Sequence, residues 1–186
     1  TSIPGNALAL TLGSANRYAA TLSVEGVSLA RPGAATSVID ARPGLIAPSI
    51  DRLNFVWSVP RAAPGELLAI TPEGASTKIA VPFVATQVTA LDVSHDGTRV
   101  AVLYSDSSGP TLIVASVIRG ENGVPVRLGG SLSLPVPPGA PVDVAWIDST
   151  SVAVLNTSAG SSILYGNVIG GRSQGLPSFV SGTAAS

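Results

Sequence analysis

The sequence predicts an all-β chain of the β-propeller type: about four blades, each of four antiparallel strands, set in an incomplete ring. Three observations predict it. First, Val88 to Tyr104 alternates apolar and polar residues on either side of Ser94-His95-Asp96-Gly97, the pattern of a hairpin whose tight turn takes its positive φ from glycine. Second, that pattern recurs before and after this stretch. Third, no long window repeats apolar residues at i, i+3, i+4 and i+7, so helical periodicity is missing. Within the hairpin, alternation puts Val88, Ala90 and Asp92 on one face and Thr89, Leu91 and Val93 on the other, with Val100, Val102 and Tyr104 sharing a face after the turn.

The first unit spans residues 7–41. Ala7 to Leu12 and Arg17 to Val24 flank Gly13-Ser14-Ala15-Asn16, a degenerate copy of the central turn, and Val27 to Ala30 and Thr36 to Ile39 follow as shorter strands. The second, residues 44–82, takes Leu45 to Ile50, Leu53 to Val59, Glu66 to Thr71 and Thr77 to Val81, the last two joined by the turn tripeptide Pro72-Glu73-Gly74. The third, residues 88–134, adds Thr111 to Ile118 and Val126 to Leu134 to the central hairpin. After the Pro-rich link Pro135 to Pro141, the fourth unit (141–180) repeats the hairpin in Val142 to Leu155, with Ser161 to Ile169 and Gly175 to Val180 completing it and 181–186 a frayed tail. The whole of 1–180 reads as one domain. Asp51, Asp96 and Asp148 mark the hairpin turns at intervals of 45 and 52 residues, close to the about 40–50 residues of a propeller blade. A β-sandwich also uses many short strands, but it gives no reason for one hairpin to recur at a near-constant interval.

Composition excludes several classes. Only 11% of the residues are charged, the net charge is −1 and Lys78 is the one lysine, so no basic stripe exists to hold nucleic acid. With no cysteine, there is no disulfide framework, thiolate metal site or catalytic thiol. No apolar run reaches the about 18 residues of a membrane span, and the first residues lack the pattern of a signal peptide. The chain opens at Thr1 and reads as a piece of a longer protein.

The search for chemistry returns no catalytic, cofactor-binding or metal-ligating residue to assign. Ser94-His95-Asp96 contains the residue types of a triad, but adjacent residues in a turn should diverge, whereas nucleophile, base and orienter must converge. His95 is the only histidine, which excludes a multi-histidine metal centre. Asp92, Asp96 and Asp106 near one hairpin, and Asp143 and Asp148 near the next, could form a calcium site or an acid/base pair. The more ordinary role of Asp in Ser-x-Asp-Gly is to cap its own turn, and the Asp-box spacing of sialidases is not met. Gly129-Gly130 and Gly170-Gly171 fall between strands rather than before a helix, so they make no phosphate loop. Trp57 and Trp146 fit packing between blades better than ligand platforms.

Three stretches together carry a family resemblance: Ala47-Pro48-Ser49-Ile50-Asp51 with Val56-Trp57; Val88 to Leu91 with Ser94 to Val102; and Val142 to Asp148 with Val152. Through them the chain resembles the C-terminal β-propeller of the LpqB family of actinobacterial lipoproteins, over about residues 7 to 170. The first unit departs from the pattern, since Gly13 to Asn16 lacks Asp-Gly. The resemblance implies a lipoprotein anchored on the outer face of the cytoplasmic membrane through a segment outside this chain, with a GerMN-type region upstream. It implies no catalysis and no cofactor. It also implies a partner, the extracytoplasmic domain of the sensor histidine kinase of an Mtr-type two-component system. The rival classes are a propeller-scaffold hydrolase, which needs groups converging from several blades, and a cell-wall carbohydrate-binding domain, which needs Trp57, Trp146 and Tyr165 exposed around one groove. An incomplete ring further predicts that the fragment associates with itself through an uncovered apolar sheet face.

Overall fold

The computed structural model describes residues 6–13, 17–158, 161–169 and 173–175. They form four antiparallel sheets of four strands, and each sheet is a meander of consecutive strands. The first holds β1 (Ala9–Leu12), β2 (Ala19–Ser23), β3 (Gly26–Ala30) and β4 (Ser37–Asp40); the second β5 (Ser49–Ile50), β6 (Val56–Ser58), β7 (Leu67–Ile70) and β8 (Ser76–Ile79). The third holds β9 (Gln87–Val93), β10 (Arg99–Asp106), β11 (Gly109–Arg119) and β12 (Pro125–Leu134); the fourth β13 (Ala140–Trp146), β14 (Ser151–Ser158), β15 (Ser161–Val168) and β16 (Ser173–Gly175). The first strand of each sheet packs against the first strand of the next, β1 on β5, β5 on β9 and β9 on β13, so these four line a common axis. This is the propeller arrangement of four four-stranded blades.

Three apolar clusters join the sheets, one per interface. Leu22, Val27 and Leu29 of the first sheet meet Val56, Leu68 and Ile70 of the second. Trp57, Leu67 and Ala69, on the second sheet's other face, meet Leu91, Val93, Val100 and Val102. Ala101, Leu103 and Leu112 then meet Val144, Val152 and Val154 of the fourth. A strand with a neighbour on both faces is apolar on both, which is why β10 is buried along Val100 to Tyr104 instead of alternating. A closed ring of four sheets has four interfaces, and the described residues supply three. The outward face of the first sheet carries Leu10, Leu12 and Val38 at 51%, 61% and 54% exposure, and that of the fourth carries Leu164 and Val168. Among the described residues the ring is therefore an open arc, with no apolar cluster between the first and fourth sheets.

Several local expectations are corrected. A bulge places Tyr104 opposite Val88 and Leu103 opposite Ala90, leaving Thr89 unpaired. The extra residue reverses the alternation, so Val88 packs with Leu91 and Val93 toward the second sheet while Ala90 faces the fourth. Gly129-Gly130 lies inside β12, not between strands. There the register shifts between Val114 and Ser116, and Gly130 takes φ +52°. The second blade is shorter than its alternation implies: β5 keeps two residues and β6 three. The Gly13–Asn16 turn falls largely outside the described residues, as do Gly170-Gly171, most of Gly175–Val180 and the tail from 181.

Candidate functional site

The loops that join the first two strands of the second, third and fourth blades lie toward one end of the axis, and they carry Asp51, Asp96 and Asp148. In the β9–β10 turn the Ser94 N–H donates to Arg99 O at 2.8 Å and the Gly97 N–H to Ser94 O at 2.7 Å. Gly97 sits at φ +70°. The Ser94 hydroxyl donates to Asp96 Oδ1 at 2.6 Å, and the same oxygen accepts from the Thr98 N–H and hydroxyl at 3.0 and 2.8 Å. Ser94 and Asp96 therefore do converge, contrary to the divergence expected of turn neighbours, because the tight turn folds the chain back over two residues. His95 stands outside that pair, exposed, so the bonds close a turn and not a triad. Donation by Ser94, then by Thr98, holds Asp96 ionised down to a pKa of about 2.

Asp148 caps the β13–β14 turn in the same way, accepting from the Thr150 N–H at 2.7 Å and its hydroxyl at 3.0 Å. The Thr150 N–H is the first cause of its lowered pKa. Asp106 does likewise with Ser108 at the β10–β11 turn. Asp51 is different. Its N–H donates to Phe55 O as that of Ser94 does to Arg99 O, and Asn54 (φ +67°) stands where Gly97 stands. By backbone register Asp51 is thus the counterpart of Ser94, not of Asp96. It is wholly buried, and its carboxylate accepts from the Leu53 and Phe55 N–H groups, from Trp57 Nε1 at 3.0 Å and from Arg119 Nη2 at 2.6 Å. Arg119 comes from β11, so this ion pair seams the second sheet to the third.

Asp92 makes the corresponding seam nearer the axis. Its Oδ1 accepts from the Ser49 hydroxyl at 2.8 Å and its Oδ2 from the Trp146 N–H at 3.0 Å, while the Trp146 indole N–H donates to Asp92 O at 3.0 Å. Ser49 Oγ in turn accepts from the Val93 N–H. One carboxylate so links the second, third and fourth blades. Burial raises its pKa, the donors from Trp146 and Ser49 oppose the rise, and the charge of Asp143 adds to it. Beside it lies a space of about 250 Å³ reached by Thr11, Ser49, Asp92 and Trp146, one residue from the inner strand of each blade. His95 borders this space and also a larger cleft of about 460 Å³ between the third and fourth blades. Trp146 and Ile147 give that cleft an apolar side, and Asp96 and Asp148 stand at it as carboxylates.

Among the described residues no three His, Cys, Asp or Glu side chains group to hold a metal ion. Of the three aromatic residues a glycan platform would need, Trp57 is fully buried between the second and third blades. Tyr165 pairs with Val154 on the face toward the third blade. Only Trp146 borders the cleft. The residues that sequence reasoning missed are Ser49 and Arg119, which reach their partners across 43 and 68 positions and carry no local signal.

A family model described as the lipoprotein LpqB β-propeller domain matches residues 2–185. The chain belongs to this family. As an LpqB-type propeller it has no match among curated proteins, but it is similar to solved structures. One is a nidogen/laminin complex, at TM-score 0.70 and 11% identity, covering 95% of this chain and 66% of that one. Another is hydrazine synthase of Kuenenia stuttgartiensis, at TM-score 0.64 and 12% identity, with 95% and 53% covered. A third is virginiamycin B lyase of Staphylococcus aureus, at TM-score 0.57 and 13% identity, with 97% and 58% covered. The chain thus spans between about half and two thirds of the length of these structures. At such identity the likeness speaks to fold alone, since propellers carry binding and catalytic sites alike.

Proposed function

We propose that the domain is a non-catalytic protein-binding module of an extracytoplasmic lipoprotein, held at the membrane by a lipid anchor outside this chain. Its partner in this reading is the extracytoplasmic domain of an Mtr-type sensor histidine kinase, whose signalling it modulates; a second contact is with the upstream region of its own lipoprotein. Membership of a lipoprotein propeller family supports the setting. The observation that carries the binding role is that the axial carboxylates are spent on structure: Asp51 and Asp92 on seams between blades, Asp96 and Asp148 on their own turns. An acid/base pair needs one of its carboxyls protonated, whereas Asp96 and Asp148, the two that face one cleft, are both held ionised by the donors of their turns. Burial of Trp57 counts against the carbohydrate-binding alternative.

Pull-down and crosslinking of the soluble lipoprotein with the kinase's extracytoplasmic domain test the proposal. Saturable binding, with no hydrolysis of cell-wall or peptide substrates, is expected. Failure to bind, together with a hydrolytic turnover abolished by Asp96→Asn or Asp148→Asn, would overturn it.

A further inference from the structure

The cleft between the third and fourth blades combines two kinds of surface. Its apolar side is Trp146 and Ile147, the latter 52% exposed, and two carboxylates, Asp96 and Asp148, flank it on separate turns. Neither carboxylate forms an ion pair among the described residues, where the four ion pairs involve Asp40, Asp51, Glu66 and Glu73. Both are held below the ordinary carboxylate range by bonds within their turns, which keeps them ionised at any physiological pH. Arg99 is the nearby cation: its guanidinium lies 5.4 Å from the centre of the Trp146 ring and bears on Asp96. That leaves Asp148 without a counter-ion among the described residues. An inorganic cation is a poor occupant, because among the described residues no third acidic or imidazole side chain, the rim's His95 included, groups with the two carboxylates closely enough to hold one. A long basic side chain is a good one, since its methylene stem covers apolar surface while its head group stays with the carboxylates.

We propose that this cleft is a binding site for a lysine or arginine side chain of a partner protein, with the stem against Trp146 and Ile147 and the cationic head between Asp96 and Asp148. The proposal rests on the protein-binding reading above and names the surface that makes the contact. The rim is open to a polypeptide, since His95, Asp96, Ile147, Asp148 and Ser149 are all exposed.

The test uses the acetylated, amidated tripeptides Gly-Arg-Gly, Gly-Lys-Gly and Gly-Gln-Gly, titrated against the isotope-labelled chain. It has two tryptophans and therefore two indole N–H resonances; fully buried Trp57 serves as the internal control. The two cationic peptides are expected to shift the Trp146 indole and the amides of the Asp96 and Asp148 turns, saturably and weakly, and the neutral one to leave them unmoved. Asp148→Asn, which keeps an oxygen for the Thr150 N–H, should weaken binding about two- to fivefold. Ser149→Lys, which brings a competing ammonium to the rim, should block it, and raising NaCl to about 0.5 M should suppress it. Equal shifts from all three peptides, or none from any, would overturn the proposal. So would kinase binding unchanged by both substitutions, and that result would leave the kinase itself standing as partner. Peptide binding without kinase binding would do the reverse.

Discussion

Gly97 holds φ +70°, and a Cβ there would lie 3.3 Å from both Arg119 Nη2 and Arg52 Cγ. Gly97→Val is expected to cost about 1–3 kcal/mol through backbone strain, read as a lower midpoint in thermal melts, whereas His95→Ala, at an exposed position of the same turn, should melt like the parent. The sequence makes this turn legible because Asp-Gly is a local signal. The bonding of Asp92 is not legible, because its donors arrive from two other blades. Asp92 and Asp96 therefore differ in sign although they lie four positions apart. Asp96, lowered to about 2, contributes stability that is present above the unfolded value of about 3.9 and lost as pH falls toward 2. Asp92, raised by burial, contributes stability that is full below the unfolded value and lost as pH rises through its folded value. Carboxyl-carbon NMR titration should show the two moving apart on either side of about 3.9; a common midpoint would contradict the burial of Asp92.

Among the elements, the seam between the second and third blades is the most polar and the most interdependent. Asp51→Ala strips the acceptor from the buried Trp57 Nε1 and Phe55 N–H, removes the part-buried bond from the Leu53 N–H, and leaves Arg119 Nη2 with Gly97 O alone. Removing one partner of a buried pair costs about 3–5 kcal/mol, so urea unfolding should show a loss of that order, against a small one for Asp106→Ala at an exposed turn. Alternation and turn residues made the strands of the third blade visible, since β9 to β12 are long. They overestimated β5 and β6, where tertiary packing and not local pattern sets the ends. The bulge at Thr89 was invisible for another reason: an apolar residue satisfies either face when both faces are covered, so Val88 gives no sign of which side it takes.

At the scale of the whole molecule, the three interfaces that the described residues form among four blades leave two outward faces, one with Leu10, Leu12 and Val38 and one with Leu164 and Val168. The chain alone is expected to pair these faces with a second copy, giving a mass above 18.5 kDa in size-exclusion chromatography with light scattering; a strict monomer at high concentration would refute this. The repeat was legible in the recurring hairpin, but the curvature was not, because it follows from packing between blades. The meander has a further consequence for how the chain reaches this state. Within each sheet of the described residues every ladder joins strands adjacent in sequence, with one isolated bridge, Ala80 to Arg127, crossing between sheets, so each blade has low contact order and closes only short loops. The side-chain bonds that align blades span 43, 54 and 68 residues and form only once whole blades exist. Ser49→Ala, which loses two hydroxyl bonds that both cross to the third blade, should accordingly raise the unfolding rate while leaving the folding rate nearly unchanged, the kinetic signature of a contact made after the transition state.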